Sequence, residues 1–165
     1  WKAIRLKYRM KHEQSSPECY LAVCAIAKNE GPYFKEWIEW HREQGVEKFY
    51  IYDNESTDCT KEVLAPYIES GLVEYTYFPG QKKQLAAYDD CFERHRLETR
   101  WLAVIDLDEF IVPLKHRNIP EFFSEEPKFS FPIDKQCIIR FVFNQLFSKW
   151  IHSRTCFSRT DSSSY

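Results

Sequence analysis

CYLAVCAIAKNEGPYFKEWIEWHREQGVEKFYIYD, residues 19–53, decides the fold class. Its first nine residues are a nearly continuous apolar run, the pattern of a strand covered on both faces. Lys28-Asn29-Glu30-Gly31-Pro32 is turn chemistry, and Pro32 suits a first helical position because its missing N–H would have no partner there anyway. Phe34, Trp37, Ile38 and His41 then recur at intervals of three and four, a helical stripe that faces a sheet, and Gly45 is placed to end the helix in a left-handed turn. Residues 48–52 (KFYIY) begin a second strand, closed by Asp53-Asn54-Glu55-Ser56-Thr57-Asp58, a run of turn formers and helix N-caps.

The same alternation continues outward. A second helix runs to Ser70 with Val63, Leu64, Tyr67 and Ile68 as its apolar face, and Gly71 lies just past its end. Residues 73–78 alternate as a third strand, Pro79-Gly80 breaks it, and a third helix over 81–95 places Leu85, Tyr88, Phe92 and His95 on one face. Residues 101–105 (WLAVI) are a fourth strand, apolar throughout. Strands alternating with helices predict an α/β fold with a mostly parallel sheet, right-handed crossovers and helices on both faces. In such sheets ligands bind beyond the carboxyl ends of the strands, where the strand order reverses. The polar residues fall at those ends: Asn29 and Glu30 after the first strand, Asp53 after the second, Asp106 and Asp108 after the fourth.

A chain of 165 residues with 44% hydrophobic and 17% aromatic content supports one sizeable core rather than two full domains. Its net charge of -2 lacks the cationic excess that tracking a phosphate backbone requires, so nucleic acid is not an expected partner. No apolar run is long enough to cross a membrane, because Asp106, Asp108 and Glu109 interrupt the most apolar stretch. The six cysteines include no Cys-x-x-Cys pair, and Cys24 and Cys91 read as small core residues.

Asp106-Leu107-Asp108 would point two carboxylates the same way if its backbone were extended, since residues two apart share a face of a strand. Two hard oxygen donors, with the rest of the shell left to water and phosphate, suit Mg²⁺ or Mn²⁺ at a diphosphate. Such a triplet can also simply close a strand at the solvent. The five apolar residues leading into it favour the metal reading, because an unpaired charge at the edge of a buried sheet is costly. Asp53 divides in the same way between helix cap and acceptor for a ribose hydroxyl or base N–H. Glu30 divides between helix-dipole partner and ligand contact. His41 and His95 lie on apolar helix faces and read as core or boundary residues.

Three motifs occur in order: Lys28-Asn29-Glu30, Asp53-Asn54-x-Ser56-x-Asp58 and Asp106-x-Asp108-Glu109-Phe110. With the runs QKKQLAAYDDCFERH and WLAVIDLDEFIVP, they resemble the family 92 glycosyltransferases and their family 2 relatives, over about residues 19–113. The resemblance implies a GT-A-type, Rossmann-like sheet, a nucleotide-sugar donor, usually a UDP-sugar, a glycan or other hydroxyl acceptor, and Mn²⁺ as the common metal. It implies an inverting hexosyltransferase, and full-length relatives that are often Golgi or otherwise membrane-anchored. It also suggests Asp108 as a direct metal ligand, Asp106 as a metal or ribose contact, Asp53 and Glu30 near the nucleoside with Asn29 and Asn54 of the same motifs, and Gln84 near the donor. A haloacid-dehalogenase-like phosphatase shares an Asp-x-Asp after an apolar strand, but there it comes after the first strand, and Phe110 replaces its usual Thr or Val.

Composition shifts near Pro127. The expected organisation is a polar segment over 1–17, a nucleotide-sugar-binding half over 18–127, and a divergent tail over 128–165 that carries six Lys or Arg against Asp134 and Asp161. A complete GT-A transferase needs a longer acceptor-binding half than the 57 residues after Asp108, so the chain reads as incomplete at its C-terminus, able to bind a donor without turnover.

Overall fold

A computed structural model describes residues 17–125, together with the backbone of 137–140 and 150–153. The polar N-terminal segment and most of the basic tail, including Asp134 and Asp161, lie outside the described residues. The elements are β1 (Cys19–Ala27), α1 (Gly31–Glu43), β2 (Lys48–Asp53), α2 (Thr60–Glu69), β3 (Val73–Tyr77), α3 (Gln84–His95), β4 (Thr99–Val104), α4 (Ile119–Glu125), β5 (Cys137–Arg140) and β6 (Trp150–Ser153). They build one sheet in the order β3-β2-β1-β4-β5-β6, parallel throughout except for β6, which pairs antiparallel with β5. The expected α/β class with a mostly parallel sheet is what forms.

The winding direction decides where a ligand can sit. The chain runs outward from β1 through β2 to β3, then returns past β1 to lay β4 along its other side. If every crossover keeps the same hand, this reversal must move the crossover helix to the opposite face. Accordingly α1, α2 and α4 cover one face, over Leu21, Val23, Phe49, Ile51, Trp101 and Ala103, while α3 covers the other, over Ala22, Cys24, Tyr50, Tyr52, Leu102 and Val104. Both faces are buried, which is why these strands are written as apolar runs. The gap between the ends of β1 and β4 is the topological switch point.

Two helix faces differ from expectation. On α2 the buried residues are Thr60 and Leu64, with Val63 and Tyr67 partly covered, whereas Ile68 is 38% exposed. Helix α3 starts at Gln84 rather than 81 and buries Ala87, Cys91 and His95, leaving Leu85 61% exposed. The sheet opposite α3 carries the large rings of Tyr50 and Tyr52, so the helix approaches on its small side chains and His95 stacks on Tyr50 at 3.8 Å between ring centroids. Cys24 and Cys91 are buried together here, as their sequence context predicts, and burial pushes the Cys24 thiol well up. Among the described residues no helix is long and apolar enough to cross a membrane.

Gly45 ends the turn after α1 at φ 95°, the left-handed conformation expected of it. Gly31 is needed for a different reason. A Cβ there would lie 2.7 Å from the Thr60 amide nitrogen and 2.8 Å from Cys59 Sγ, so the start of α1 abuts the start of α2 with no room for a methyl group. Gly31→Ala is therefore expected to destabilise the fold by about 1–3 kcal/mol through overpacking. Urea unfolding of the purified chain measures it, and an unchanged midpoint would mean that the two helix starts can separate freely.

Candidate functional site

The fourth strand delivers the acidic triplet to the switch point. After Val104 the sheet pairing persists through Ile105, whose N–H donates to the Cys24 carbonyl at 3.2 Å. The chain then turns, with the Glu109 N–H on the Asp106 carbonyl at 3.1 Å and the Glu109 carboxylate accepting the Asp106 N–H at 3.1 Å. The triplet is thus a turn and not the extended segment that a shared strand face assumes. Leu107 is buried in the core below it, which leaves Asp106 half-buried and Asp108 exposed. The apolar residue between the acids anchors them at the surface without an extended backbone.

Asp106 is held by α3. Its Oδ1 accepts hydrogen bonds from Gln84 Nε2 at 2.9 Å and from the Tyr88 hydroxyl at 3.0 Å. Gln84, singled out from sequence, therefore joins Asp106 from 22 residues away. Tyr88, read from sequence as part of an apolar face, is also part of this site. The signal for it is the spacing of four between Gln84 and Tyr88, which sets two polar tips one above the other on a helix. Burial raises the Tyr88 hydroxyl pKa, and the Asp106 charge raises it further, so it remains a donor.

The turns after β1 and β2 are stapled together beside this point. Asn29 adopts φ 59° and accepts the Thr57 N–H on its side-chain oxygen at 2.7 Å, while its own N–H donates to Ser56 Oγ at 2.9 Å. Asp58 accepts the Gly31 N–H on Oδ2 at 2.8 Å, and on Oδ1 the Thr60 N–H at 3.1 Å and hydroxyl at 2.6 Å. Asn54 ties the third strand in, donating from Nδ2 to the carbonyls of Phe78 at 2.9 Å and Gly80 at 2.8 Å. Asp53 is only 1% exposed, and each of its oxygens has a donor: the Ser56 N–H at 2.9 Å on Oδ1 and the Tyr75 hydroxyl on Oδ2. Asn29, Asp53 and Asn54 thus shape the rim from within.

Glu30 stands between the two groups. Burial raises its carboxyl pKa, and the charges of Asp108, Asp106 and Asp58 raise it further, so its carboxylate lies in the field of both triplet acids. Repulsion of this kind is what a cation relieves. Among the described residues no group of three or more His, Cys, Asp or Glu side chains is arranged to hold a metal ion. Asp106 and Asp108 would supply two hard oxygen donors of the kind that hold Mg²⁺ or Mn²⁺ together with water and phosphate.

Beyond the triplet the chain hangs from α1. Trp37 Nε1 donates to the Glu109 carbonyl at 3.0 Å, and Trp40 Nε1 donates to the Ile111 carbonyl at 3.2 Å. His41 completes the set. Its Nε2 accepts the Ile111 N–H at 3.2 Å, which leaves the ring proton on Nδ1 to donate to the Trp37 carbonyl at 2.8 Å. His41 is thus a buried core residue, as its position on an apolar face suggests, and its ring also stacks on Phe110 at 5.7 Å.

Fold and site together define a doubly wound α/β domain that gathers carboxylates at its switch point. The chain belongs to glycosyltransferase family 92, whose family model matches residues 20–152. It is similar to a family 92 glycosyltransferase of Arabidopsis thaliana, 34% identical over 109 residues that make up 66% of this chain and 19% of the relative. It is also similar to the beta-1,4-galactosyltransferase galt-1 of Caenorhabditis elegans, 31% identical over 143 residues, 73% of this chain and 33% of that protein. A galactan beta-1,4-galactosyltransferase of Arabidopsis thaliana is 34% identical over 92 residues, 49% of this chain and 18% of that protein. The chain therefore spans a third or less of the length of these relatives.

The His41 geometry carries a pH dependence. Burial lowers its pKa from the ordinary 6.5 to about 4, because a second ring proton would be desolvated and would displace the Ile111 N–H. Between those values the unfolded chain binds a proton that the folded chain does not. This contribution is complete above pH 6.5 and is lost as pH falls towards 4, a change of about 3 kcal/mol. His41→Gln should cost stability at pH 7 yet lose less on acidification than the parent. Denaturant midpoints at pH 7 and pH 4.5 for both chains test this, and equal acid losses would show that His41 is not the group titrating.

Proposed function

We propose that this chain forms the nucleotide-sugar-binding half of a metal-dependent glycosyltransferase, which moves a sugar from a UDP-sugar to a hydroxyl of a glycan. The observation that carries the reading is the pair Asp106 and Asp108 at the switch point, one carboxylate braced from α3 and the other exposed. Both acids would hold Mn²⁺ or Mg²⁺, which stabilises negative charge on the departing diphosphate. Asp106 would offer the oxygen that no described residue donates to, and Asp108 would approach from the solvent side. Asn29, Glu30, Asp53 and Asn54 form the rim where the nucleoside rests, their backbone positions set by the stapled turns. Gln84 sits at the same mouth through its bond to Asp106.

In the transfer, the acceptor oxygen bonds to the anomeric carbon as that carbon's bond to the diphosphate oxygen breaks, and the electron pair leaves with the diphosphate. Two of the similar proteins are named beta-1,4-galactosyltransferases, which makes UDP-galactose the donor to test first. A β linkage made from an α-linked nucleotide sugar requires inversion, and inversion needs a carboxylate base beside the acceptor hydroxyl to take up its proton as the new bond forms.

Removing one of two anionic ligands leaves a cation underneutralised, so Asp108→Ala should abolish Mn²⁺-dependent UDP binding while leaving the fold intact. Calorimetric titration of UDP into the chain, with and without Mn²⁺, reads this directly. Undiminished Mn²⁺-dependent binding by the variant would remove Asp108 from the site and overturn the metal-dependent reading.

A further inference from the structure

The aspartates around the switch point, Asp53 at the end of β2, Asp58 before α2 and Asp106 beyond β4, do not use their oxygens alike. Asp53 and Asp58 each accept hydrogen bonds from their own surroundings on both carboxylate oxygens. Asp106 is different. Gln84 and Tyr88 both donate to Oδ1, and no described residue donates to Oδ2. Asp53 and Asp58 spend both oxygens on their own turns, whereas Asp106 keeps one oxygen clear of every described protein donor. Placing two donors on one oxygen fixes the plane of the carboxylate and leaves the other oxygen for a ligand.

We propose that Tyr88, with Gln84, is a positioning residue that locks Asp106 so that Oδ2 alone engages the cation of a bound nucleotide. The proposal rests on the reading of Asp106 as part of the donor site and adds how that acid is aimed. The geometry is a closed triangle: Gln84 Nε2 lies 3.1 Å from the Tyr88 oxygen, and both lie within 3.0 Å of Asp106 Oδ1. Tyr88 is the firm corner, because its ring packs against the core between α3 and the sheet beside Cys24 and Ala87. Gln84 is exposed at the start of α3 and is itself steadied by the Tyr88 oxygen. Neither residue needs to touch the ligand. Both act through Asp106 by removing the rotational freedom that binding would otherwise have to freeze.

Tyr52 supplies a matched control, since its hydroxyl donates to Asp90 Oδ2 at 2.7 Å on the same helix without contacting Asp106. The experiment measures UDP affinity in saturating Mn²⁺ by calorimetry for the parent chain, Tyr88→Phe, Gln84→Leu, Tyr52→Phe and Asp106→Asn, with the ligand-free unfolding midpoint of each. Tyr88→Phe should weaken binding about tenfold, the worth of one hydrogen bond to a charged acceptor. Gln84→Leu should shift it in the same direction, and Tyr52→Phe should bind as the parent does. A merely structural role would make Tyr88→Phe and Tyr52→Phe behave alike. If Tyr88→Phe and Gln84→Leu both match the parent while Asp106→Asn loses binding, the positioning role is overturned and the donor-site reading stands. If Asp106→Asn binds like the parent, or the parent shows no Mn²⁺-dependent binding, the donor-site reading fails and the proposal fails with it.

Discussion

Where the fourth strand leaves the sheet, three acids must reach the surface while the backbone carrying them stays paired. The hydrogen bonds of Trp37 and Trp40, which donate to the carbonyls of Glu109 and Ile111, and of His41, which accepts the Ile111 N–H, meet that constraint, and the candidate site depends on them. Backbone polar groups left unpaired at a buried edge cost about as much as lost hydrogen bonds. A segment just beyond a parallel strand has no further strand to pair with at that point. Side-chain rings on the neighbouring helix supply the partners instead, so α1 positions the acidic turn although it carries none of the acids.

The need to pair buried backbone also explains why the rim is built from residues that look like ligands. Asn29, Asp53, Asn54 and Asp58 are the residue types that hydrogen-bond nearby backbone, and here they join the turns after β1 and β2 to each other and to the end of β3. Gly31 lets the two helix starts close to contact distance. A rigid rim holds Glu30 in the field of Asp106 and Asp108, concentrating negative charge that neutral surroundings would not tolerate. A divalent cation, as proposed for the donor site, would offset that charge.

Much of this architecture is legible in the sequence, for identifiable reasons. The double-sided apolar runs of β1, β2 and β4 can only be strands between layers, and Pro32 and Gly45 mark the ends of α1. The acids stand out because each lies directly beyond such a run. Periodicity misplaces the face of α3 because the tyrosines of β2 choose its contact side, a pairing between distant segments that spacing does not record, and large apolar residues such as Leu85 turn outward. Tyr88 and Trp37 read as core because their rings are apolar, while their polar tips form hydrogen bonds that build the site. The turn at the triplet is hidden for a related reason: it depends on the Glu109 carboxylate closing back onto the Asp106 N–H.

The bonds from α1 to the segment beyond the triplet join residues 72 and 71 positions apart. Contacts of that separation carry a loop-closure entropy that local contacts do not. The pairing of β1 with β4 sets Glu109 and Ile111 opposite the rings that hold them. Residues 109–111 are thus held from α1 through contacts of long sequence separation, above the β1–β4 pairing. The segment beyond the acids is therefore a product of the assembled sheet and α1, so a change that loosened α1 would reach that segment without touching an acid.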